Sequence, residues 1–303
     1  MLPEDDVHDG LSRNDRLRAR LVRAKRAFTT RHVRVDDAAQ LTRDGIAPKP
    51  GDLLLARITS IGQHERLENM EGRRVLLYVG DEILVSYGHR YAPDQFESRV
   101  PSDLSDCALV AAGGIASEMM SKHTKMKAPT RIEPIGLLTR QDGTILNLAD
   151  YVAFSQCEAV RPATIIAVVG SSMNAGKTTT AASLVRGLTS AGFRVGAAKL
   201  TGTGSGGDLW TMLDAGAIAA VDFTDAGHAS TADLHAQQLE TIARRLIGKL
   251  GEHGAEIGVV EIADGLLQRE TAALIDVAQT SGWFRGLCSR RPMRWAPVSV
   301  STG

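Results

Sequence analysis

The stretch from Thr164 to Thr178 constrains this chain more than any other. Thr164 to Val169 (TIIAVV) is a continuous apolar run, as a parallel strand buried on both faces requires. Gly170-Ser171-Ser172-Met173-Asn174-Ala175-Gly176-Lys177-Thr178 follows, and a helical pattern runs from Lys177 to Thr189. A strand, a glycine-rich turn and a helix in that order gather backbone N–H groups and the positive end of a helix dipole around one point, an arrangement that holds phosphate. On this reading the N–H groups of Asn174 to Thr178 wrap a β-phosphate. Lys177 adds a point charge across the β- and γ-phosphates, and Thr178 Oγ ligates Mg²⁺. Five residues separate Gly170 from Gly176, one more than the common spacing, so Ser171 takes the usual place of the first glycine. The nucleotide-binding set is Gly170, Ser171, Asn174, Ala175, Gly176, Lys177, Thr178 and Thr179.

Strand and helix patterns then alternate. Phe193 to Ala198, Ile218 to Phe223 and Glu256 to Ile262 read as strands, and Asp208 to Ala215, Thr231 to Leu250 and Glu270 to Gln279 as helices. The expected fold of residues 161–303 is a doubly wound parallel sheet, with one further strand candidate at Ala296 to Val300. Ligands of such sheets bind outside the carboxyl ends of the strands, which brings Glu261 and Asp264 to the loop. Either could hold metal-bound water or orient an acceptor, and Asp264 alternatively reads as a helix N-cap before Gly265. Asp222, Asp225, His228, Ser230 and Thr231 are the candidate substrate residues, His228 reading either as an acid/base group or as an ordinary hydrogen-bonding side chain.

Two smaller units precede this domain. Within residues 1–47, Arg13, Arg16, Arg18, Arg20, Arg23, Lys25 and Arg26 face one acid, Asp15, with Leu17, Leu21, Val22 and Ala24 between them. That is a basic amphipathic helix, packed by its leucines with a solvated charged face; a nucleic-acid or partner contact is the alternative. Residues 48–160 form a β-rich module: Leu53 to Ile61, Arg74 to Val79 and Glu82 to Tyr87 read as strands, with a hairpin turn at Gly80-Asp81. Their spacing suggests a small barrel or half-barrel. The basic loop Lys122 to Lys127 is solvated or reaches toward an anion.

Composition narrows the function. Lys and Arg total 35 and so do Asp and Glu, so bulk charge does not drive binding to nucleic acid or an acidic membrane. Aromatic content of 4% argues against stacking surfaces for bases. Cys107, Cys157 and Cys288 form no metal-ligand spacing and fit a reducing compartment. No apolar run approaches the roughly 20 residues that span a bilayer, and the acidic start Met1 to His8 is unlike a signal peptide; a cytoplasmic protein without a membrane partner is expected.

The Gly-x5-Gly-Lys-Thr loop, Thr179-Thr180 after it and a following strand ending at Lys199 resemble the dethiobiotin synthetase branch of the SIMIBI P-loop class, and less closely the molybdopterin-guanine dinucleotide adaptor proteins. The resemblance spans roughly residues 163 to 280. It implies that Lys199, in Ala197-Ala198-Lys199-Leu200, helps bind substrate and the transferred phosphoryl group. It further implies Asp208, beyond Gly206-Gly207, as a Mg²⁺ ligand, and Glu261 as a second carboxylate near the metal, with Asp264 competing. Residues 221–231 and 261–271 are more similar to an uncharacterised-domain family grouped with dethiobiotin synthetase-like proteins, some members of which are linked to D-amino-acid N-acylation. Homodimers are common in the resembled family, and one is expected here.

These readings combine into an ATP- or GTP-binding, Mg²⁺-dependent enzyme that transfers a phosphoryl group to a small metabolite, either as its whole reaction or as one step of a ligase. Lys177, Lys199, Glu261 and Asp264 are its catalytic candidates, and Thr178, Asp208 and Glu261 its metal ligands. Two alternatives stay open: an N-acyltransferase holding coenzyme A in the loop, and a nucleotide-gated regulator or adaptor whose N-terminal units bind a partner or nucleic acid.

Overall fold

Ser12 accepts a hydrogen bond on its side-chain oxygen from the Asp15 N–H at 3.1 Å, starting a helix over Arg13–Arg23. The computed structural model describes residues 12–43, 45–153, 162–266, 268–280 and 286–290. Leu17 and Leu21 of this helix are buried with Leu53, Leu55 and Leu84, while Arg20 holds Glu82 (Nε to Oε2 2.7 Å) and Arg18 holds Asp36 at 2.7 Å. The helix is shorter than the basic run. Its chain turns extended at Ala24, so that Lys25–Arg26 pairs in parallel with Ile83 and Leu84 and Phe28–Thr30 forms a single 3₁₀ turn.

Five strands of the β module close a ring. Glu82–Tyr87 pairs with Leu53–Ser60, then come Thr130–Thr139, Cys107–Ala111 and Ile115–Lys122, which returns to Glu82–Tyr87. Alternation along Leu53–Ser60 sorts the side chains: Leu54, Ala56 and Ile58 join one core with Ile83, Val85 and Leu109, whereas Leu53 and Leu55 pack beneath the first helix. Arg74–Leu76 does not form the hairpin expected with Glu82–Tyr87. It pairs with Arg66–Glu68, because the Gly80-Asp81 turn is bound to Ile58 on both sides (Gly80 N to Ile58 O and Ile58 N to Asp81 O, each 2.9 Å).

The second sheet is parallel throughout, in the order Ala219–Asp222, Val195–Lys199, Ile257–Glu261, Thr164–Gly170, Gly286–Arg290. Helices Lys177–Ser190 and Gly207–Asp214 cover one face, where Val168, Val195, Ala197 and Val259 meet Ala181, Val185 and Met212. Helix Ala236–Glu252 covers the other, placing Leu239, Ile242, Leu246 and Leu250 against Ile165, Ala167, Val169 and Val260, and Leu274 of helix Arg269–Thr280 joins the same core. This is the expected α/β architecture with three differences. The edge strand Gly286–Arg290, weakly apolar by itself, is defined by its pairing with Ile166 to Gly170, and the Ala296 to Val300 candidate lies outside the described residues. The helix expected from Thr231 starts at Ala236, after Asp233 takes a left-handed φ of 68°. Asp264 caps no helix; its N–H donates to Gln268 Oε1 at 3.1 Å, and the helix begins at Arg269.

The two modules meet along the carboxyl edge of the parallel sheet. Ser205 donates to the buried Glu68 at 2.8 Å, Arg99 pairs with Asp233 at 3.0 Å, and Ala153 N–H donates to Asp225 O at 2.9 Å. A Cβ on Gly113 would lie 2.0 Å from Gly204 O, so this approach of backbone to backbone requires glycine. Among the described residues no helix is long and apolar enough to cross a membrane.

Candidate functional site

Gly176, at φ 84°, and Asn174, at φ 60°, turn the chain out of the Thr164–Gly170 strand and into helix Lys177–Ser190. Gly176 precedes the first helical residue, so the N–H groups of the first turn face the loop. The loop packs on the segment after Glu261: Leu266 N–H donates to Gly170 O at 2.9 Å, and a Cβ on Gly265 would stand 2.8 Å from Ser171 O. Lys177 folds over this seam and donates to Ser172 O at 2.8 Å and to Asp264 O. Burial lowers its pKa, partly offset by Asp264 and Glu261. Ala175 lies in the turn, Thr179 is exposed on the first helical turn, and the Ser171 hydroxyl is buried without a partner.

Thr178, Lys199, Asp208 and Glu261 converge although they come from four elements. Thr178 Oγ lies 3.1 Å from Asp208 Oδ1 and 3.2 Å from Glu261 Oε1, and Lys199 Nζ donates to Asp208 Oδ2. Parallel register puts Lys199 directly beside Glu261 on the neighbouring strand. Burial pushes the Glu261 carboxyl up to about 6, against the pull of Lys199, with Asp208 adding to the rise. Burial works the same way on Asp208, but there Lys199 outweighs it and holds the carboxyl below its ordinary value. Lys199 keeps its proton: burial opposes the charge, and Asp208 and Glu261 overcome it. Burial also raises Asp264, whose main opposing charges are Lys199 and Lys177.

A hydroxyl and two carboxylates are hard oxygen donors of the kind Mg²⁺ takes alongside phosphate oxygens. One atom fits that reading closely: Glu261 Oε2 is buried with no hydrogen-bond partner, a costly state that a cation relieves. Among the described residues no group of three or more His, Cys, Asp and Glu side chains assembles, so any metal here depends on Thr178 and on phosphate.

The expected substrate residues divide. His228 and Ser230 line a cleft of about 670 Å³ between the modules, together with His89, Asn147, Gln238 and Arg269. Asp222, Asp225 and Thr231 are buried outside that lining. Arg31, in the N-terminal segment that joins the β module's sheet through Lys25–Arg26 and is counted with that module, reaches Thr224 and Asp225 and lies 3.4 Å from Asp222 Oδ1; His32 Nε2 lies 2.6 Å from Asp225 Oδ1. Thr231 Oγ accepts from Gly202 N–H at 2.8 Å, fixing the loop after Lys199. Burial lowers the His228 pKa and Arg245 lowers it further, so this imidazole is neutral at pH 7.

The residues the sequence did not point to lie in the β module and the N-terminal segment joined to it. Asp94 accepts from Asn174 Nδ2, and with Tyr91, Pro93 and His123 it walls a cavity of about 430 Å³ over Ser171 to Asn174 and Asp264. Nothing local in Tyr91 to Gln95, or in Arg31-His32, marks these positions; only the docking of the modules does.

No family model and no curated protein matches the chain. Among solved structures, the chain is similar to the signal recognition particle 54 kDa protein of Aeropyrum pernix K1 in complex with GDP, at 25% identity and TM-score 0.30, over 46% of this chain and 32% of that one. It is also similar to the signal recognition particle receptor FtsY of Elizabethkingia anophelis in complex with GDP, at 20% identity and TM-score 0.30, over 43% of this chain and 39% of that one. The chain thus spans less than half the length of either protein.

Proposed function

We propose that the chain binds a magnesium nucleoside triphosphate in the Gly170–Thr178 loop and transfers its terminal phosphoryl group to a small acceptor held between the two modules. The observation that carries this reading is the meeting of Thr178, Asp208, Glu261 and Lys199 beside the loop, with one Glu261 oxygen left unsatisfied. Thr178, Asp208 and Glu261 would hold Mg²⁺, which supplies charge neutralisation on the β- and γ-phosphates.

The protein's part is positioning and electrostatics. Loop N–H groups and Lys177 hold the β-phosphate, where negative charge collects as the β–γ bridging P–O bond breaks. Lys199 reaches the transferred group from the other side. An acceptor oxygen, of a carboxylate, carbamate or hydroxyl, forms the new P–O bond; a hydroxyl would pass its proton to a buried carboxyl whose pKa burial raises, Asp264 or Glu261. His228, Ser230 and Arg269 offer hydrogen bonds to the rest of the acceptor in the 670 Å³ cleft.

The test is a transfer assay with γ-labelled ATP and GTP against panels of small carboxylates, carbamates and alcohols. Label moving to an acceptor, and failing to move with Lys199→Met, is the expected result. Stoichiometric nucleotide binding with no transfer to any panel member contradicts the transferase reading, and favours a nucleotide-gated regulator.

A further inference from the structure

Asp222, Lys199 and Glu261 stand in one register row across three adjacent parallel strands: Lys199 pairs with Asp222 on one side and with Glu261 on the other. Side chains at matched positions of parallel neighbours share a face, so the Lys199 ammonium has carboxylates on both sides. It nevertheless donates to Asp208, toward the phosphate loop. Asp222 is wholly buried; its Oδ1 accepts from the N–H and hydroxyl of Thr224, its Oδ2 has no hydrogen-bond partner, and the cation from the other module is Arg31. Arg31 is fixed for that role, its guanidinium stacked 4.0 Å over the Phe28 ring and bonded to Thr224 and Asp225. Charges therefore alternate from the β module to the loop: Arg31, Asp222, Lys199, Asp208 with Glu261, Lys177.

We propose that Arg31 is a positioning residue for Lys199, acting across the module interface by occupying Asp222 so that the lysine is left to face the phosphates. This rests on the phosphoryl-transfer reading above. Without Arg31, Asp222 becomes a buried carboxylate beside Lys199 in the strand register, and an unpaired buried charge costs enough to draw that cation to it. The lysine has room to move, because Gly202 beside it has no side chain: a Cβ there would sit 3.2 Å from Lys199 Cε. The β module thereby becomes part of the catalytic apparatus without touching nucleotide.

The experiment compares full-length wild type, Arg31→Met and Arg31→Met with Asp222→Asn, titrated with Mg·ATP and Mg·ADP and with the guanine pair. Arg31→Met is expected to lower the preference for triphosphate over diphosphate about tenfold while leaving diphosphate affinity within about twofold, as for coupled members of one charge network. Adding Asp222→Asn removes the competing carboxylate and is expected to restore the preference. A crystal structure of Arg31→Met should show Lys199 Nζ on Asp222. The proposal is overturned if Lys199 stays on Asp208, or if the loss persists in the double variant, as a merely structural interface role requires. Should Arg31→Met not fold, Arg31→Gln keeps a hydrogen-bonding side chain without the charge; a loss of the triphosphate preference is expected, and no loss overturns the proposal. A wild type that binds no nucleotide contradicts the phosphate-loop reading, whereas the position of Lys199 in the variant crystal decides the present one independently.

Discussion

Lys199 and Asp222 are direct neighbours in the register of two parallel strands, yet the Lys199 ammonium is bonded to Asp208, which stands beyond a glycine-rich loop. The lysine is thereby aimed at the Gly170–Thr178 loop, and the carboxylate it leaves is taken by Arg31 from the other module. On the proposed reading, that choice of partner is what turns the lysine toward the phosphates.

The Glu261 carboxyl, pushed up to about 6, should impose a pH dependence on metal use. Metal binding needs the charged form, so Mg²⁺-dependent nucleotide affinity is expected to fall as pH drops through about 6 and to lose this dependence in Glu261→Gln. Stability runs the other way. The folded-state pKa lies above the ordinary value, so the favourable contribution is full below pH 4.5 and lost as pH rises through about 6. Glu261→Gln should therefore melt a few degrees higher than wild type at pH 7.5 without ligand, read by thermal denaturation; a lower melting temperature contradicts the assignment of Glu261 as a strained, buried charge.

Lys199→Met removes the ammonium that offsets burial at both Asp208 and Glu261. Two adjacent carboxylates then lack their main cation, and the pH midpoint of Mg²⁺-dependent binding should move upward by about one unit or more. Titration calorimetry across pH 5 to 8.5 would measure it, and an unmoved midpoint would mean that Lys199 is electrostatically separate from the metal site.

Gly113→Ala places a methyl group where Gly204 O already stands, 2.0 Å from the added carbon. Backbone on both sides must shift, so a loss of about 1–3 kcal/mol is expected in urea unfolding. Because Gly204 belongs to the loop that carries Ser205 toward Asp208, nucleotide affinity should fall with it. Destabilisation with unchanged affinity would show that the interface and the site are uncoupled.

Much of the parallel domain was legible because its signals are local. The apolar run at Thr164, the loop glycines and the alternation of strand and helix each lie within one short window; the sheet's carboxyl edge pointed to Glu261, and the resemblance to the dethiobiotin synthetase branch singled out Lys199 and Asp208. Boundaries failed where tertiary contacts decide them: Gly286–Arg290 is a strand because Ile166 to Gly170 lies beside it, and Arg74–Leu76 leaves its expected partner because the Gly80 turn is bound to Ile58. The contribution of the β module was illegible. Arg31, Glu68 and Asp94 look like ordinary surface charges in sequence and acquire roles only through docking, with partners 137 positions away for Glu68 and 80 for Asp94.

The most direct test of the central claim is titration calorimetry of ATP, GTP and coenzyme A, with and without Mg²⁺, on wild type and Lys177→Ala. The account predicts triphosphate binding that requires Mg²⁺ and weakens at least tenfold (about 1.4 kcal/mol or more) when the Lys177 charge is removed. Triphosphate affinity that is the same in both proteins, or tight coenzyme A binding beside indifferent triphosphate binding, would contradict it.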